Sequence, residues 1–528
     1  MTSVRSTLGD RVGSGLTLSL TSPLVVRAGR RAAVTWLALG TVLALYGCSA
    51  SPDSDQKPTG LAFAACADRS SWAEVPLPEK RRGRLDVGCA TLAVPIDHAD
   101  PARGNLDVAV VRVRASNQHE RIGSLVLNPG GPGVSGVDFM PSWAAWMPDE
   151  LLARFDLISF DPRGTGRSAP IRCPDPADLA AAGLPELRTD AGWAAAQVLL
   201  RTSDQACADA LGNAAGLFST DATARDLDLL RKALGDEALT FVGWSYGARL
   251  GAHYARLFPG RVRALVLDAP PDPSASWGTI VESQIAGFEA AFRAYAAQCR
   301  SRETCARVGD ARSLLEQGVE RARARPIPSG RATADKPATW DVALRSVLGF
   351  LFVPELWPDL DGALIEASAG DSGSLYDMID SLEGRTPANR DANASAALGV
   401  ILCNDRPPDA NPEHRRAEAT KLARDYRTFG VYGAWWLFAC AYWTVPHQPL
   451  PTTALTVASP VLVIGTRGDP ATPYPGVTAF ADSIGGKALL LTWSGTGHTA
   501  FGRSPCVGEH VTSYLIGLRT PEQGTVCP

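Results

Sequence analysis

The feature that most restricts the fold of this chain is Gly243-Trp244-Ser245-Tyr246-Gly247, set between a strand pattern and a helix pattern. Ala238-Leu239-Thr240-Phe241-Val242 is a short β-branched and aromatic run that reads as a buried strand, and Ala248 to Ala255 reads as a helix. Joining the two directly requires a strained, crowded turn, where Cβ atoms at positions 243 and 247 would strike neighbouring backbone. Such a turn pushes the Ser245 hydroxyl clear at the sheet's edge. A plain glycine-rich strand-to-helix connection could use the same residues, so chemistry requires more: a base, a group that orients it, and donors for an oxyanion.

Of the seven histidines, His498 alone follows a strongly apolar run, Ala488 to Trp493, and a flexible Ser494-Gly495-Thr496-Gly497 turn, and it is the expected base. His98, His119, His253, His414, His447 and His510 read as surface or structural histidines. Two aspartates end strands before it. Asp469 follows Pro460 to Gly465 through Thr466-Arg467-Gly468 and is held by Pro470-Ala471-Thr472-Pro473, whereas Asp268 ends Ala264 to Leu267 and opens a proline-rich exit. Asp469 is preferred because its strand immediately precedes the histidine strand, and Asp268 is explained as a capping or turn residue. Thr472 is placed to donate to the Asp469 carboxylate or to serve the turn alone. The oxyanion donors are expected from Asn128-Pro129-Gly130-Gly131-Pro132-Gly133, a strand breaking into a glycine-rich loop: Gly131 N–H, with Gly130 as the alternative, beside Tyr246 N–H. A phosphate cradle is excluded because Pro129 and Pro132 lack N–H groups and no Gly-Lys-Ser/Thr follows.

These segments, with Asp161-Pro162-Arg163-Gly164-Thr165-Gly166-Arg167-Ser168, Gly468 to Pro473 and Gly495-Thr496-Gly497-His498, resemble the proline iminopeptidase and tripeptidyl aminopeptidase group of α/β-hydrolases, in particular its secreted actinobacterial branch with a tripeptidyl-aminopeptidase-like C-terminal region. The likeness spans about residues 60 to 528. Many relatives carry His-Gly-Gly-Pro-Gly where this chain has Asn128 before the proline and glycines, a change the oxyanion backbone should survive. The resemblance implies a mainly parallel sheet flanked by helices, and an exported serine aminopeptidase releasing short peptides, tripeptides, from substrates with a free N-terminus. A carboxylesterase or lipase acting on envelope or exogenous esters would use the same three side chains. A catalytically inactive hydrolase fold kept for binding is the reading from a different class.

The rest of the chain gives the organisation. A net charge of −4 leaves no nucleic-acid footprint, and 45% hydrophobic with 20% charged residues is the balance of a globular protein with a large core. Arg27, Arg30 and Arg31 precede an apolar Ala32 to Leu45 too short to span a bilayer comfortably, which reads as an export signal over residues 1–48. Leu45-Tyr46-Gly47-Cys48 resembles a lipobox; acylated Cys48 would give a membrane contact through a lipid anchor, and plain cleavage would release the protein. Residues 49–60 read as a flexible tether. Eleven cysteines less Cys48 leave ten, and neighbours in order give five disulfides: Cys66–Cys89, Cys173–Cys207, Cys299–Cys305, Cys403–Cys440 and Cys506–Cys527. No Cys-x-x-Cys or His-Glu-x-x-His is present, so neither a metal nor a cofactor is expected.

Strands are expected at 106–115, 125–128, 155–160, 239–243, 264–268, 461–465 and 488–493, alternating with helices as in a parallel sheet. The segment 221–234 reads as an amphipathic helix capped by Asp221. Hydrolase core is expected over 61–270 and 459–528, with 271–458, helical in pattern at 280–299 and 311–324, inserted as a lid. An aminopeptidase must hold the substrate's ammonium, and Asp405 is the candidate, with Glu355 and Glu282 as equal alternatives.

Overall fold

The computed structural model describes residues 60–174, 183–308, 310–329, 337–385, 392–406, 411–446, 449–451 and 457–528. The expected export signal, Cys48, and all of the tether except Gly60 lie outside them. Among the described residues nine strands form one sheet: β1 (Val87–Pro95), β2 (Asn105–Val113), β3 (Gly123–Asn128), β4 (Phe155–Phe160), β5 (Leu239–Trp244), β6 (Val262–Asp268), β7 (Val461–Gly468), β8 (Ala488–Thr496) and β9 (Val526–Cys527). Their order is β1-β2-β4-β3-β5-β6-β7-β8-β9. β1 and β2 pair antiparallel, β2 meets β4 antiparallel, and every later pairing is parallel.

The seven strands read from the sequence are all present, most of them as apolar runs that a parallel sheet can bury on both faces, whereas β2, antiparallel to both its neighbours, is only partly buried. Val126, Ile158, Phe241, Leu265 and Val463 pack on one face, while their neighbours Leu125, Leu157, Val242, Val266 and Ile464 pack on the other. β1 and β9 were not foreseen. β1 is an edge strand whose side chains are mostly half-buried, without clean alternation, and β9 is only two residues, bonded through Cys527 to Cys506. β8 also runs further than expected, through Ser494 and Gly495 to Thr496, so the turn falls on Gly497 at φ +100°.

Among the described residues between β6 and β7 the chain is helical apart from an isolated bridge, Ile327 to Ala338. Helices Trp277–Cys299, Trp340–Phe352 and Gly430–Trp436 there build their own core from Ile285, Phe288, Trp340, Val347 and Trp435. The two layers interlock across the expected boundaries. Trp193 and Ala196, from helix Asp190–Leu211, join the helical cluster, and Val400, Ile401 and Trp443 from the inserted segment join a sheet face. Helix Thr220–Ala233 begins one residue earlier than the pattern suggested, and its N-cap is Ser219, whose hydroxyl accepts from Ala222 N–H. Asp221 instead bonds His253 and Arg225. The five cysteine pairs bond as neighbours in order. No described helix is long and apolar enough to cross a membrane.

Candidate active site

Ser245 stands between β5 and helix Tyr246–Leu257 at φ +56° and ψ −120°, a conformation that L-residues rarely adopt. Neighbouring backbone enforces it: Ser245 N–H donates to the Asp268 carbonyl at 2.8 Å, and the Ser245 carbonyl accepts from Ala248 N–H at 2.9 Å. A Cβ on Gly243 would overlap the Gly247 carbonyl, and one on Gly247 would overlap the Asn128 carbonyl. Both glycines are therefore required by close backbone approach.

Asp469 and His498 meet at the ends of β7 and β8. His498 Nδ1 lies 3.0 and 2.9 Å from the two Asp469 carboxylate oxygens. The carboxylate is fully buried and also accepts from Ala471 N–H and Thr472 N–H at 2.9 Å each, from the Thr472 hydroxyl at 3.1 Å and from Thr499 N–H at 3.2 Å. A carboxylate anchored by this donor set holds the proton on Nδ1 and leaves Nε2 as the basic nitrogen. His498 is fixed through its backbone as well, donating to the Phe352 carbonyl at 2.8 Å with the Phe352 ring set edgewise against the imidazole. The loop after His498 folds back over β7 and β6 toward β5, so that Phe501 stacks on Trp244, the residue before the serine. No hydrogen bond joins the Ser245 hydroxyl to His498 in this state, and such bonds commonly form only with substrate in place.

In the oxyanion loop the structure separates the two expected donors. Gly130 N–H is committed to the Asn128 side-chain oxygen at 3.1 Å, whereas Gly131 N–H has no partner among the described residues. Tyr246 N–H opens its helix, where the first turn's amides lack intrahelical acceptors. A Cβ on Gly130 would stand 3.1 Å from Tyr246 N, so the loop lies directly against the elbow.

A family model described as the α/β hydrolase fold matches residues 123–505. The chain belongs to the α/β-hydrolase family. Serine protease Hip1 of Mycobacterium tuberculosis H37Rv is 34% identical over 526 residues, covering 94% of this chain and 98% of that protein. Tripeptidyl aminopeptidase of Streptomyces lividans is 30% identical over 457 residues, covering 84% and 83%. A protein named carboxylesterase B from M. tuberculosis H37Rv is 33% identical over 504 residues, covering 92% and 94%.

In this α/β-hydrolase the rival acid, Asp268, does not touch the imidazole. Its carboxylate is buried and accepts from Ala500 N–H at 3.0 Å and Phe501 N–H at 2.7 Å, and burial pushes its pKa up to about 7. Asp405 requires a correction. It is 2% exposed, with one oxygen taken by Thr220 N–H at 2.9 Å and the other by the Thr220 hydroxyl at 2.6 Å, so it presents nothing to a substrate ammonium. The Thr220 hydroxyl in turn meets the Tyr246 hydroxyl, linking Asp405 to the residue after the nucleophile. Burial raises the Asp405 pKa. Glu282 is exposed and bonded to Lys421, and Glu355, 64% exposed, pairs with Arg503 at 3.0 Å.

Sequence reasoning missed several supports. Asp161 accepts from the Ser135 hydroxyl at 2.6 Å and Val137 N–H at 3.0 Å, anchoring the start of helix Gly136–Trp146 just beyond the oxyanion loop. Its place directly after the apolar run Phe155–Phe160 is the signal the sequence offers, since an aspartate at the end of a buried strand needs donors. Arg163 makes two bonds to Asp226, at 2.7 and 2.6 Å, joining that loop to helix Thr220–Ala233.

Proposed function

We propose that this serine hydrolase is an exported aminopeptidase that releases short peptides, tripeptides, from substrate N-termini. The observation that carries the chemistry is the buried Asp469 carboxylate on His498 Nδ1, at the same sheet end as a serine held at positive φ. Ser245 attacks the peptide carbonyl while His498 Nε2 takes its proton, and Asp469 stabilises the imidazolium. Gly131 and Tyr246 N–H receive the oxyanion, and the protonated His498 then releases the amine to leave an acyl-enzyme that water resolves. The relatives named serine protease and tripeptidyl aminopeptidase support peptide over other acyl substrates. With Asp405 sealed, recognition of the substrate ammonium passes to Glu355. It is exposed, and its turn packs on the histidine loop, where a Cβ on Gly497 would overlap Pro354. Export is supported by five disulfides, which persist in an oxidising compartment. Anchoring through Cys48 would appear as a lipid mass on the mature N-terminal peptide.

The relative named carboxylesterase B favours a second reading, ester hydrolysis by the same groups. Comparing Ala-Ala-Pro-arylamide with a short-chain aryl ester separates the two. Amide turnover abolished in Ser245→Ala supports the peptidase, and an amide rate negligible beside the ester rate overturns it.

A further inference from the structure

Six non-glycine residues adopt positive φ among the described residues, and three of them surround one buried side chain. Ser245, at +56°, donates its N–H to the main-chain oxygen of Asp268. Ala269, at +57°, follows Asp268 in sequence and donates to the Ile464 carbonyl of β7 at 2.9 Å. Thr499, at +69°, separates His498 from Ala500, whose N–H is held with that of Phe501 by the Asp268 carboxylate. Strained backbone persists only where its surroundings over-determine it, and here a single residue of β6 supplies acceptors to both catalytic loops. The Phe501 carbonyl also accepts from Trp244 Nε1, at 3.4 Å, which draws the same loop to the strand end that precedes Ser245.

We propose that Asp268 is a positioning residue that sets nucleophile and base in register, its carbonyl fixing Ser245 and its carboxylate fixing the segment that carries His498. This role rests on the Ser245, His498 and Asp469 assignment and extends it to a fourth residue that touches none of the reacting atoms. A fully buried carboxylate is a costly choice where a neutral acceptor would fit. The anion holds two N–H groups more strongly than a neutral oxygen would. The titratable groups whose charges reach it are His498, beyond β8, and Asp469, beyond β7, while its β5 neighbours Trp244 and Ser245 carry no charge.

The test compares wild type with Asp268→Asn and Asp268→Ala, each checked for cooperative unfolding. Hydrolysis of Ala-Ala-Pro-arylamide and the rate of fluorophosphonate labelling of Ser245 are measured at pH 8. The expected result is a kcat lowered roughly 10- to 100-fold with KM within about twofold and a parallel fall in labelling rate, the consequence of displacement on the ångström scale. Hydrogen exchange of peptides covering 497–504 is compared between wild type and Asp268→Asn at pH 8. Protection is expected to fall in the variant, whose neutral amide oxygen holds the Ala500 and Phe501 N–H groups less strongly. Folded Asp268→Asn that labels and turns over like wild type, or whose 497–504 protection matches wild type, overturns the positioning role. Wild type unlabelled at Ser245 would instead overturn the catalytic assignment, and the exchange measurement would still decide what Asp268 holds.

Discussion

Gly130→Ala tests the oxyanion loop at its tightest point. Gly130 has φ +98°, outside the left-handed region that an alanine can reach at modest cost. Its new Cβ would fall inside the Trp244 carbonyl oxygen, where even a close C···O contact needs ~3.3 Å. It would also stand 3.1 Å from Tyr246 N and 3.2 Å from Gly247 N. All three obstacles are backbone at the elbow, so no rotamer can relieve them. Backbone strain of about 1–2 kcal/mol and overpacking of about 1–3 kcal/mol together give a loss of roughly 2–5 kcal/mol. Whatever part is relieved by moving the loop carries Gly131 N–H away from the oxyanion position. Loss of one such donor costs about 3 kcal/mol at the transition state, or 10²–10³ in kcat. The assay is kcat and KM on the arylamide with the thermal midpoint measured in parallel, and Gly399→Ala serves as control. Gly399 lies in helix Ala394–Asn404 with nothing within 4 Å of the added Cβ, so its replacement should leave kcat unchanged and stabilise by up to ~1 kcal/mol. A Gly130→Ala enzyme with wild-type kcat and midpoint would refute both the packing and the oxyanion assignment.

Asp469→Asn should lower kcat about 10⁴-fold with little change in KM, because the amide cannot hold the required tautomer of His498; a loss under about tenfold would deny it the role of orienting acid. Asp405→Ala should lower the thermal midpoint, since Thr220 N–H and its hydroxyl lose buried acceptors at about 1–3 kcal/mol each, without a selective rise in KM for free-amine substrates. A raised KM at an unchanged midpoint would restore Asp405 to the ammonium site. Asp268 and Asp204, whose pKa burial raises to about 7 and about 6, favour their protonated forms in the folded state. Their contribution is therefore fully present below the unfolded value near 3.8 and is lost as pH rises through 6 to 7. Urea midpoints should carry this falling component over that range, and Asp204→Asn should remove its share; an identical pH dependence in the variant would contradict the assignment.

The sheet was legible because its central strands are continuous apolar runs, and Asp469 and His498 because each follows such a run through a glycine-bearing turn. What escaped was decided by long-range pairing. β1 shows no periodicity to detect, since edge position and the Cys66–Cys89 bond determine its burial. Asp405 looked available because local sequence cannot reveal that Thr220, 185 positions away, supplies both of its donors. Asp268 was read as a turn residue, and it does end a strand, but its acceptors serve a loop more than 230 positions later. Gly130 and Gly131 were equivalent in sequence and became distinct only through the Asn128 side chain, which engages one of them.

The same long-range bonds bear on how the inserted helices can move. Helix Ala394–Asn404 grips the core at both ends. Before it, the Asn393 side chain donates to the Gly164 and Ile171 carbonyls and accepts from Gly166 N–H. At its other end Asn404 donates to the Ala215 and Phe218 carbonyls, and Asp405 accepts twice from Thr220. Lifting the helix would break these seven bonds. At about 0.5–1.5 kcal/mol net for each bond exchanged for water, the cost is roughly 4–10 kcal/mol. That is comparable with the whole stability of an ordinary domain, about 5–15 kcal/mol, so an opening motion of this kind would compete with unfolding. The helix also packs on the oxyanion loop, where a Cβ on Gly133 would overlap the Ala394 carbonyl. It therefore belongs mechanically to the catalytic core, although the chain reaches it only after leaving the sheet at Asp268.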